Sequence, residues 1–316
     1  MRKIKAIIMI SALLTVCILL PFFLLDRNHA SNETVTTVAT AETEQVEKTK
    51  DIALKEEERP LVDHAIKQES QKPFTDQSKK KVREVVNGVV DFFEKDQKIV
   101  AIGDSLTEGV GDETKSGGYV GILNHTFEDQ NLTIKIENFG KKGNRSDQLL
   151  KRLENKEIAT AISKADIVFI TIGANDIMKV LKSNFTTLSL EPFQVERVEY
   201  TERLTAILNK MTELNPDAHI YLIGFYNPFE SQFAYIKELD MIIDNWNETG
   251  KLMTEEYENV SFIPTKDLFT NSTMDLLAVD QFHPNTSGYK LIAQRVLDYM
   301  KVTEEARAAQ TNDDPN

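Results

Sequence analysis

Residues 98–105 of this 316-residue chain read KIVAIGDS, an apolar run that ends in a glycine followed by two polar residues. The central residues, Ile99 to Ile102, are all apolar and do not alternate with polar ones. Such a run is typical of a β-strand that is buried on both faces, as in a parallel sheet covered by helices. The stretch therefore predicts a strand of an α/β protein, with Asp104 and Ser105 in the turn at its carboxyl end.

Short apolar runs rich in β-branched residues recur along the chain, and longer helical patterns separate them. The predicted strands are residues 98–103, 133–138, 166–171, 219–224 and 260–264. The predicted helices are residues 118–130, 146–163, 194–215, 232–257 and 287–300. Strands and helices that alternate at this spacing predict an α/β fold, in which a central parallel sheet of about five strands lies between two layers of helices.

Small and polar residues follow the first three predicted strands, at the edge where ligands bind in sheets of this kind. The first strand leads into GDSL at 103–106, the second into the glycine-rich segment 140–146, and the third into GAND at 173–176. A loop that reads DQFH at 280–283 precedes the last predicted helix. Together these segments supply a nucleophile, donors for an oxyanion, and a base with a carboxylate nearby, which are the parts that acyl transfer requires.

These segments resemble the sequence blocks of the SGNH, or GDSL-like, serine hydrolases, which carry a serine, a glycine, an asparagine and a histidine in that order. Ser105, Gly143, Asn175 and His283 occur in that order, each on its expected element. The resemblance covers essentially the whole predicted domain. It implies a flavodoxin-like α/β/α fold and an ester hydrolase, a lipase or acylhydrolase of the membrane-anchored bacterial type.

The resemblance and the chemistry of these residue types indicate a role for each candidate. Ser105 is expected to be the nucleophile, His283 the general base and then the general acid, and Asp280 the carboxylate that orients the imidazole. The backbone N–H groups of Ser105 and Gly143 and the side-chain amide of Asn175 are expected to stabilise the oxyanion. Two assignments have a structural alternative, since Gly143 also suits a turn with positive φ and Asn175 also suits a helix cap.

Elimination supports His283 as the base. Of the five histidines, His29 and His64 lie in the N-terminal segment, His125 in a predicted helix and His219 at the start of a predicted strand. Only His283 lies in a loop with a carboxylate three positions before it.

Three further features lie near the predicted site. Asp104 is expected to brace the turn before Ser105 rather than to act in catalysis. Asp112 and Glu113 indicate a flexible lip after the nucleophile. The segment FYNPF at 225–229 follows the fourth strand at the same edge, and it predicts either an acyl or leaving-group pocket or simple aromatic packing.

The first 25 residues predict a membrane anchor. Arg2, Lys3 and Lys5 precede an apolar run from Ala6 to Leu25, which at 1.5 Å per residue spans roughly 30 Å, about the hydrocarbon thickness of a bilayer. The basic start predicts a single-pass protein of the cell membrane, with its N-terminus inside and an extracytoplasmic catalytic domain. A cleaved signal peptide, and hence a secreted protein, is the alternative.

Composition divides the remainder of the chain into three parts. Residues 26–81 carry 12 acidic and 10 basic residues, no glycine and one aromatic, so they predict a disordered, charged stem with too little apolar surface to fold alone. Residues 82–302 are expected to form a single hydrolase domain. Residues 303–316 are expected to be a short polar tail.

Composition and motifs also exclude several partners and sites. Lys and Arg total 37 against 50 Asp and Glu, a formal net charge of −13, which disfavours a nucleic-acid partner. The single cysteine, Cys17, excludes a disulfide framework and a cysteine-based zinc site. The sequence has no phosphate-binding Gly-Lys-Ser/Thr loop, no dinucleotide-binding glycine pattern and no His-Glu-x-x-His motif. We therefore expect no cofactor and no metal.

These features predict a membrane-anchored serine esterase or lipase-like acylhydrolase that cleaves carboxylic esters through an acyl-enzyme. Its substrate is expected to be a small-molecule, lipid or glycan ester. Two alternatives remain: an O-acetylesterase acting on cell-wall carbohydrate, and a surface binding module that keeps the fold without turnover. Acyl chain length, leaving group and oligomeric state stay open.

Overall fold

A computed structural model of the chain describes residues 97–184 and 188–312. The predicted anchor and stem, residues 1–25 and 26–81, lie outside the described residues, as do the first residues of the predicted domain. None of the helices in the described part is both long enough and apolar enough to cross a membrane.

Five parallel strands form the central sheet, in the spatial order β2-β1-β3-β4-β5. The strands are β1 (Lys98–Gly103), β2 (Lys135–Gly140), β3 (Ile167–Thr171), β4 (His219–Ile223) and β5 (Val260–Ile263). The predicted α/β fold with a five-stranded parallel sheet is therefore confirmed. The second strand lies two residues later than predicted, because its pairing with β1 runs from Lys98 opposite Lys135 to Gly103 opposite Gly140.

Helices connect the strands and cover both faces of the sheet. In chain order, the helices of the described residues are α1 (Ser105–Glu108), α2 (Gly118–Asp129), α3 (Ser146–Arg152), α4 (Lys156–Ile162), α5 (Ala174–Ser183), α6 (Glu191–Leu214), α7 (Glu230–Phe233), α8 (Lys237–Glu255), α9 (Lys266–Phe269) and α10 (Thr286–Asn312).

Two of the predicted helices are each divided in the structure. The pattern at 146–163 forms α3 and α4, because the Asn155 side chain accepts hydrogen bonds from the N–H groups of Glu157 and Ile158 and so begins a new helix. The pattern at 232–257 forms α7 and α8, because Ile236 leaves the helical backbone (φ −93°, ψ 89°) and is buried.

The last helix is longer than predicted. It begins at Thr286 and continues to Asn312, so ten residues of the predicted polar tail, 303–312, extend it. This part of the chain contains no glycine or proline and is rich in alanine and glutamate, which favour helical backbone.

Alternate residues of the strands face opposite helical layers. Ile99 and Ala101 of β1 pack with α2 and α10, whereas Val100 and Ile102 pack with the layer formed by α3 to α6 and α8. The apolar run from Ile99 to Ile102 is therefore buried on both sides, and each of its four side chains is at most 2% exposed. Burial of this kind supplies the main driving force for the fold.

The order of the strands in the sheet determines where a ligand-binding crevice can form. The chain moves from β1 to β2 on one side and then to β3 on the other. Such a reversal leaves a crevice beyond the carboxyl end of the central strand, where ligands bind in open α/β sheets. Ser105 follows β1 at this crevice.

Candidate active site

Ser105 is the first residue of α1, immediately after the strand. The turn before it needs a glycine, because Gly103 has a φ of 156° and a Cβ there would lie 2.2 Å from the backbone oxygen of Thr171. Asp104 caps α1: its Oδ1 accepts hydrogen bonds from the N–H of Leu106 (3.0 Å) and from the hydroxyl of Thr171 (2.9 Å). Asp104 thus braces the turn, which is its predicted role, and links the ends of β1 and β3.

Asp104 is a buried carboxyl group beside the candidate nucleophile. Burial raises the pKa of Asp104 to about 6, although the hydrogen bonds from Leu106 and Thr171 and the nearby His283 act in the opposite direction. The protonation of Asp104 thus changes in mildly acidic solution.

The structure brings Ser105, His283 and Asp280 into one hydrogen-bonded chain. The Nε2 of His283 lies 2.9 Å from the Oγ of Ser105, and its Nδ1 lies 2.6 Å from Oδ2 of Asp280. The other carboxylate oxygen of Asp280 accepts the backbone N–H groups of Phe282 (3.1 Å) and His283 (3.0 Å). A hydroxyl, an imidazole and a carboxylate in this order can transfer a proton away from the hydroxyl.

Asp280 is held as a carboxylate by these contacts. Partial burial acts to raise the pKa of Asp280, but the hydrogen bonds from the ring and backbone of His283 and from the Phe282 N–H outweigh it, so the pKa falls to about 2. The group is therefore ionised, and able to stabilise an imidazolium, throughout the neutral range.

Two neighbouring segments hold the loop that carries His283. The hydroxyl of Tyr226 donates to the backbone oxygen of Phe282 (2.7 Å), and the ring of Tyr226 stacks on Phe269 at 4.1 Å. On the other side, Gly111 packs so closely that a Cβ would lie 2.9 Å from Cβ of His283.

The segment after α1 is fastened by Asp112 and does not form the flexible lip that the sequence predicts. Asp112 is buried, and its carboxylate accepts hydrogen bonds from the hydroxyl groups of Thr114 (2.7 Å), Ser116 (2.8 Å) and Thr286 (2.8 Å). The bond to Thr286 ties this segment to the start of α10, three residues after His283. These hydrogen bonds lower the pKa of Asp112 although burial acts to raise it.

Gly143 and Asn175 approach one another through the backbone of Asn144. The side-chain amide of Asn175, in the first turn of α5, donates to the backbone oxygen of Asn144 at 3.0 Å. Gly143 has a φ of 77°, and a Cβ there would meet nothing within 4 Å. The backbone conformation at Gly143 therefore favours glycine, whereas crowding does not require it, and the donor role of its N–H stays a prediction.

A pocket opens beside Ser105 and His283 between the ends of β3 and β4. Its empty space measures about 600 Å³ when the open solvent at its mouth is included. Apart from the catalytic-loop residues, the side chains that line it are mostly apolar: Ile177, Met178, Ile223, Phe225, Tyr226, Pro228, Phe229, Ile243 and Phe282. The segment 225–229 thus contributes to a pocket as well as packing within the core.

Sequence reasoning overlooked the side chains that support the candidates. Thr171 gave no local signal, because a threonine in a strand is ordinary in a core, and the aromatic segment that contains Tyr226 gave no sign of the hydrogen bond from Tyr226 to Phe282. Asp176 lies beside Asn175 in the GAND segment at 173–176, and that position is the available signal. Within residues 97–184 and 188–312, no group of three or more His, Cys, Asp or Glu side chains is arranged to hold a metal ion.

Sequence comparisons relate the chain to known proteins. Residues 101–291 match the sequence model of the GDSL-like Lipase/Acylhydrolase family. The chain is 38% identical to the uncharacterized protein YpmR of Bacillus subtilis over 207 residues, which are 64% of this chain and 81% of YpmR. It is 27% identical to the spore germination lipase LipC of Bacillus licheniformis over 210 residues, covering 62% of this chain and 92% of LipC.

Solved structures show the same fold. The lipase Lip_vut3 from a goat rumen metagenome superposes with a TM-score of 0.57 at 26% identity, covering 64% of this chain and 96% of that one. A catalytic mutant of Axe2, an acetylxylan esterase from Geobacillus stearothermophilus, superposes with a TM-score of 0.50 at 25% identity, covering 65% of this chain and 94% of Axe2.

Proposed function

Because this chain belongs to the GDSL-like lipase/acylhydrolase family and is an ester hydrolase, we propose that it cleaves carboxylic esters through an acyl-enzyme on Ser105. The observation that carries the proposal is the hydrogen-bonded chain from Ser105 through His283 to Asp280, at 2.9 Å and 2.6 Å. The same chain of contacts would have no evident use in a binding module without turnover.

Each residue has a defined task in this mechanism. His283 accepts the proton of the Ser105 hydroxyl as Oγ attacks the ester carbon, and it then returns that proton to the leaving alcohol. Asp280 keeps the proton of the ring on Nδ1, so that Nε2 is free to act as the base. A water molecule, deprotonated by the same imidazole, then releases the acyl group and regenerates Ser105.

The oxyanion of the tetrahedral intermediate is proposed to bind on the side of Ser105 that faces away from His283. The N–H groups of Ser105 and Gly143 and the amide of Asn175 are the proposed donors. Asn175 uses one of its two amide hydrogens on Asn144, and its second is available in this role. Each such donor is worth roughly 3–4 kcal/mol of transition-state stabilisation.

The apolar pocket favours an ester with an aliphatic chain over an acetyl ester. A methylene that moves from water into an apolar pocket gains about 0.8 kcal/mol, or about four-fold in kcat/KM. We expect p-nitrophenyl octanoate to exceed p-nitrophenyl acetate in kcat/KM by on the order of 100-fold, which corresponds to three or four buried methylenes.

A pair of methionine substitutions tests this preference. Met178 lines the pocket, and Met178→Trp should narrow it and lower the octanoate-to-acetate ratio at least about tenfold. Met241 is 47% exposed and does not line the pocket, so Met241→Trp should leave the ratio unchanged. A wild-type enzyme that prefers acetate would instead support the O-acetylesterase, and absence of labelling by a fluorophosphonate at Ser105 would support the binding module.

We further propose that residues 1–25 anchor the enzyme in the cell membrane with the catalytic domain outside. The support is the apolar run from Ala6 to Leu25 after a basic start. The N-terminus of the protein purified from cell membranes should still carry these residues when it is sequenced. A mature chain that begins after residue 25 would instead indicate secretion.

A further inference from the structure

Asp176 is a buried carboxylate that has no step in the proposed mechanism. It follows Asn175 in the first turn of α5, and it is 1% exposed. Removing a charged group from water is costly unless it is well paired. Its partners are therefore informative about why the charge lies there.

The carboxylate of Asp176 binds the start of α3, on the neighbouring loop. Oδ2 accepts the backbone N–H of Ser146 at 3.0 Å, and Oδ1 accepts the hydroxyl of Ser146 at 2.7 Å. Ser146 is fully buried and lies three residues after Gly143. Asp176 thus joins the loop after β2 to the helix after β3.

Arg203, from the long helix α6, completes this junction. Its Nε donates to the hydroxyl of Ser146 at 2.7 Å, and its Nη2 lies 3.4 Å from Asp176 Oδ1 and 2.5 Å from Glu196 Oε1. Burial raises the pKa of Asp176, whereas the Ser146 hydrogen bonds and the Arg203 charge act to lower it. The carboxylate is held in a fixed orientation by partners on α3 and α6.

The far side of the same loop is fixed by Arg152. Its guanidinium donates to Oδ1 of Asn144 (2.6 Å) and to the backbone oxygen of Phe139 (2.6 Å). Gly143 lies between these anchors, and no atom is close to its Cα on the side where a Cβ would stand. The residues before Gly143 are also held, because the N–H of Lys142 donates to the carboxylate of Glu108. The direction of the Gly143 N–H therefore depends on anchors on both sides, of which Asn144 and Ser146 are those after it.

From these contacts we propose that Asp176 is a positioning residue, which holds the Gly143 loop and Asn175 in register so that both donors point at one oxyanion. The inference rests on the proposed function. Asp176 does not line the pocket beside Ser105, and we expect it to act through these two donors. Displacing a donor by about 1 Å can cost on the order of 100-fold in rate.

The substitution Asp176→Asn tests this role. With its oxygen at the position of Oδ1, the asparagine would set its NH₂ against the Ser146 N–H that Oδ2 now accepts at 3.0 Å, and it would remove the negative charge beside Arg203. We expect kcat to fall roughly 10- to 100-fold with KM changed less than about threefold, because oxyanion donors act in the transition state. The affinity for a trifluoromethyl ketone, whose adduct carries the oxyanion, should fall by the same factor as kcat/KM.

Asp267→Asn is the matched control. Asp267 also pairs with a largely buried arginine, Arg295, at 3.0 Å and 2.7 Å, but it follows β5, which is three strands away from β1 in the sheet. Both variants should lose thermal stability, whereas only Asp176→Asn should lose kcat. Equal effects of the two variants on kcat would overturn the inference.

A double-mutant cycle separates positioning from general structure. Asn175→Ala alone should lower kcat by about 10²–10³, and adding Asp176→Asn should then cost at least threefold less than it does in the wild type. An identical cost in both backgrounds would contradict the inference. If Asn175→Ala leaves kcat unchanged, the proposed oxyanion role of Asn175 is wrong as well. If Asn175→Ala lowers kcat and Asp176→Asn does not, only the positioning role of Asp176 is wrong.

Ser146→Ala supplies the same test from the other side, and it serves if Asp176→Asn does not fold. It removes the hydroxyl contacts to Asp176 and Arg203 and keeps the backbone N–H. We expect a three- to tenfold loss of kcat with an unchanged KM, smaller than that of Asp176→Asn because the Asp176 carboxylate keeps its charge and its bond to the N–H of residue 146. An unchanged kcat in a folded Ser146→Ala protein would contradict the inference.

Discussion

Ser105→Ala is expected to lower kcat for p-nitrophenyl octanoate by about 10⁵- to 10⁶-fold, because alanine has no oxygen that can form the acyl-enzyme. The substitution removes a single atom, and the Ser105 backbone N–H stays in place. Substrate should therefore still bind, and KM should change little. The rate is measured by release of p-nitrophenol. The active-site concentration of the wild-type enzyme is determined by titration with a fluorophosphonate.

Ser287→Ala is the control for this substitution. Ser287 is exposed in the first turn of α10, four residues after His283. It should keep the wild-type kcat and be labelled at Ser105 by a fluorophosphonate. A Ser105→Ala protein that retains more than about 1% of the wild-type kcat would rule out Ser105 as the nucleophile.

Asp280→Asn is expected to lower kcat by about 10⁴-fold. The backbone N–H groups of Phe282 and His283 both point at Oδ1 of Asp280, so the oxygen of the asparagine should remain there and its NH₂ should face the imidazole. His283 must then accept at Nδ1 and carry its proton on Nε2. That tautomer donates to Ser105 and cannot act as its base.

Asp275→Asn provides the comparison, because Asp275 is exposed and lies in the same loop. Its carboxylate accepts a hydrogen bond from the backbone N–H of Leu277. The substitution should change kcat less than twofold. An Asp280→Asn enzyme within tenfold of the wild type would show that the carboxylate does not set the tautomer. Proton NMR of the imidazole N–H signals tests the tautomer directly.

The lowered pKa of Asp280 also affects how the stability of the folded protein depends on pH. A carboxyl group whose pKa is depressed by folding stabilises the folded state above its ordinary pKa of about 3.9, and this contribution is lost as the pH falls. For Asp280 the loss runs down to about pH 2. Protonation of Asp280 therefore does not limit the enzyme near neutral pH.

The sheet could be predicted because its signal is local. Residues 98–103 form β1 as predicted, since an apolar run without alternation suits a strand covered on both faces. Errors occurred at boundaries that strand pairing with another segment or a local helix cap decides. Pairing with β1 moved the second strand to Lys135–Gly140, and the cap at Asn155 divided a helix that periodicity alone left continuous.

The sequence was sufficient to predict the residues of the candidate site, but not the side-chain contacts that hold them in place. Ser105 and His283 are 178 positions apart, yet their residue types and their places after strands and before α10 pointed to one edge of the sheet. The contacts that hold this edge join Ser146 to Asp176 across 30 positions and Asp112 to Thr286 across 174. No periodicity or motif connects such pairs.

Short segments of the sequence were therefore sufficient to predict the class of fold, the order of the strands along the chain and the residue types that acyl hydrolysis needs. The pairing of the strands, the apolar pocket between β3 and β4, and the burial of Asp176 against Ser146 became visible in the folded chain alone. These features arise when distant segments pack together, and the free energy of a buried carboxylate depends on partners that the neighbouring sequence does not contain.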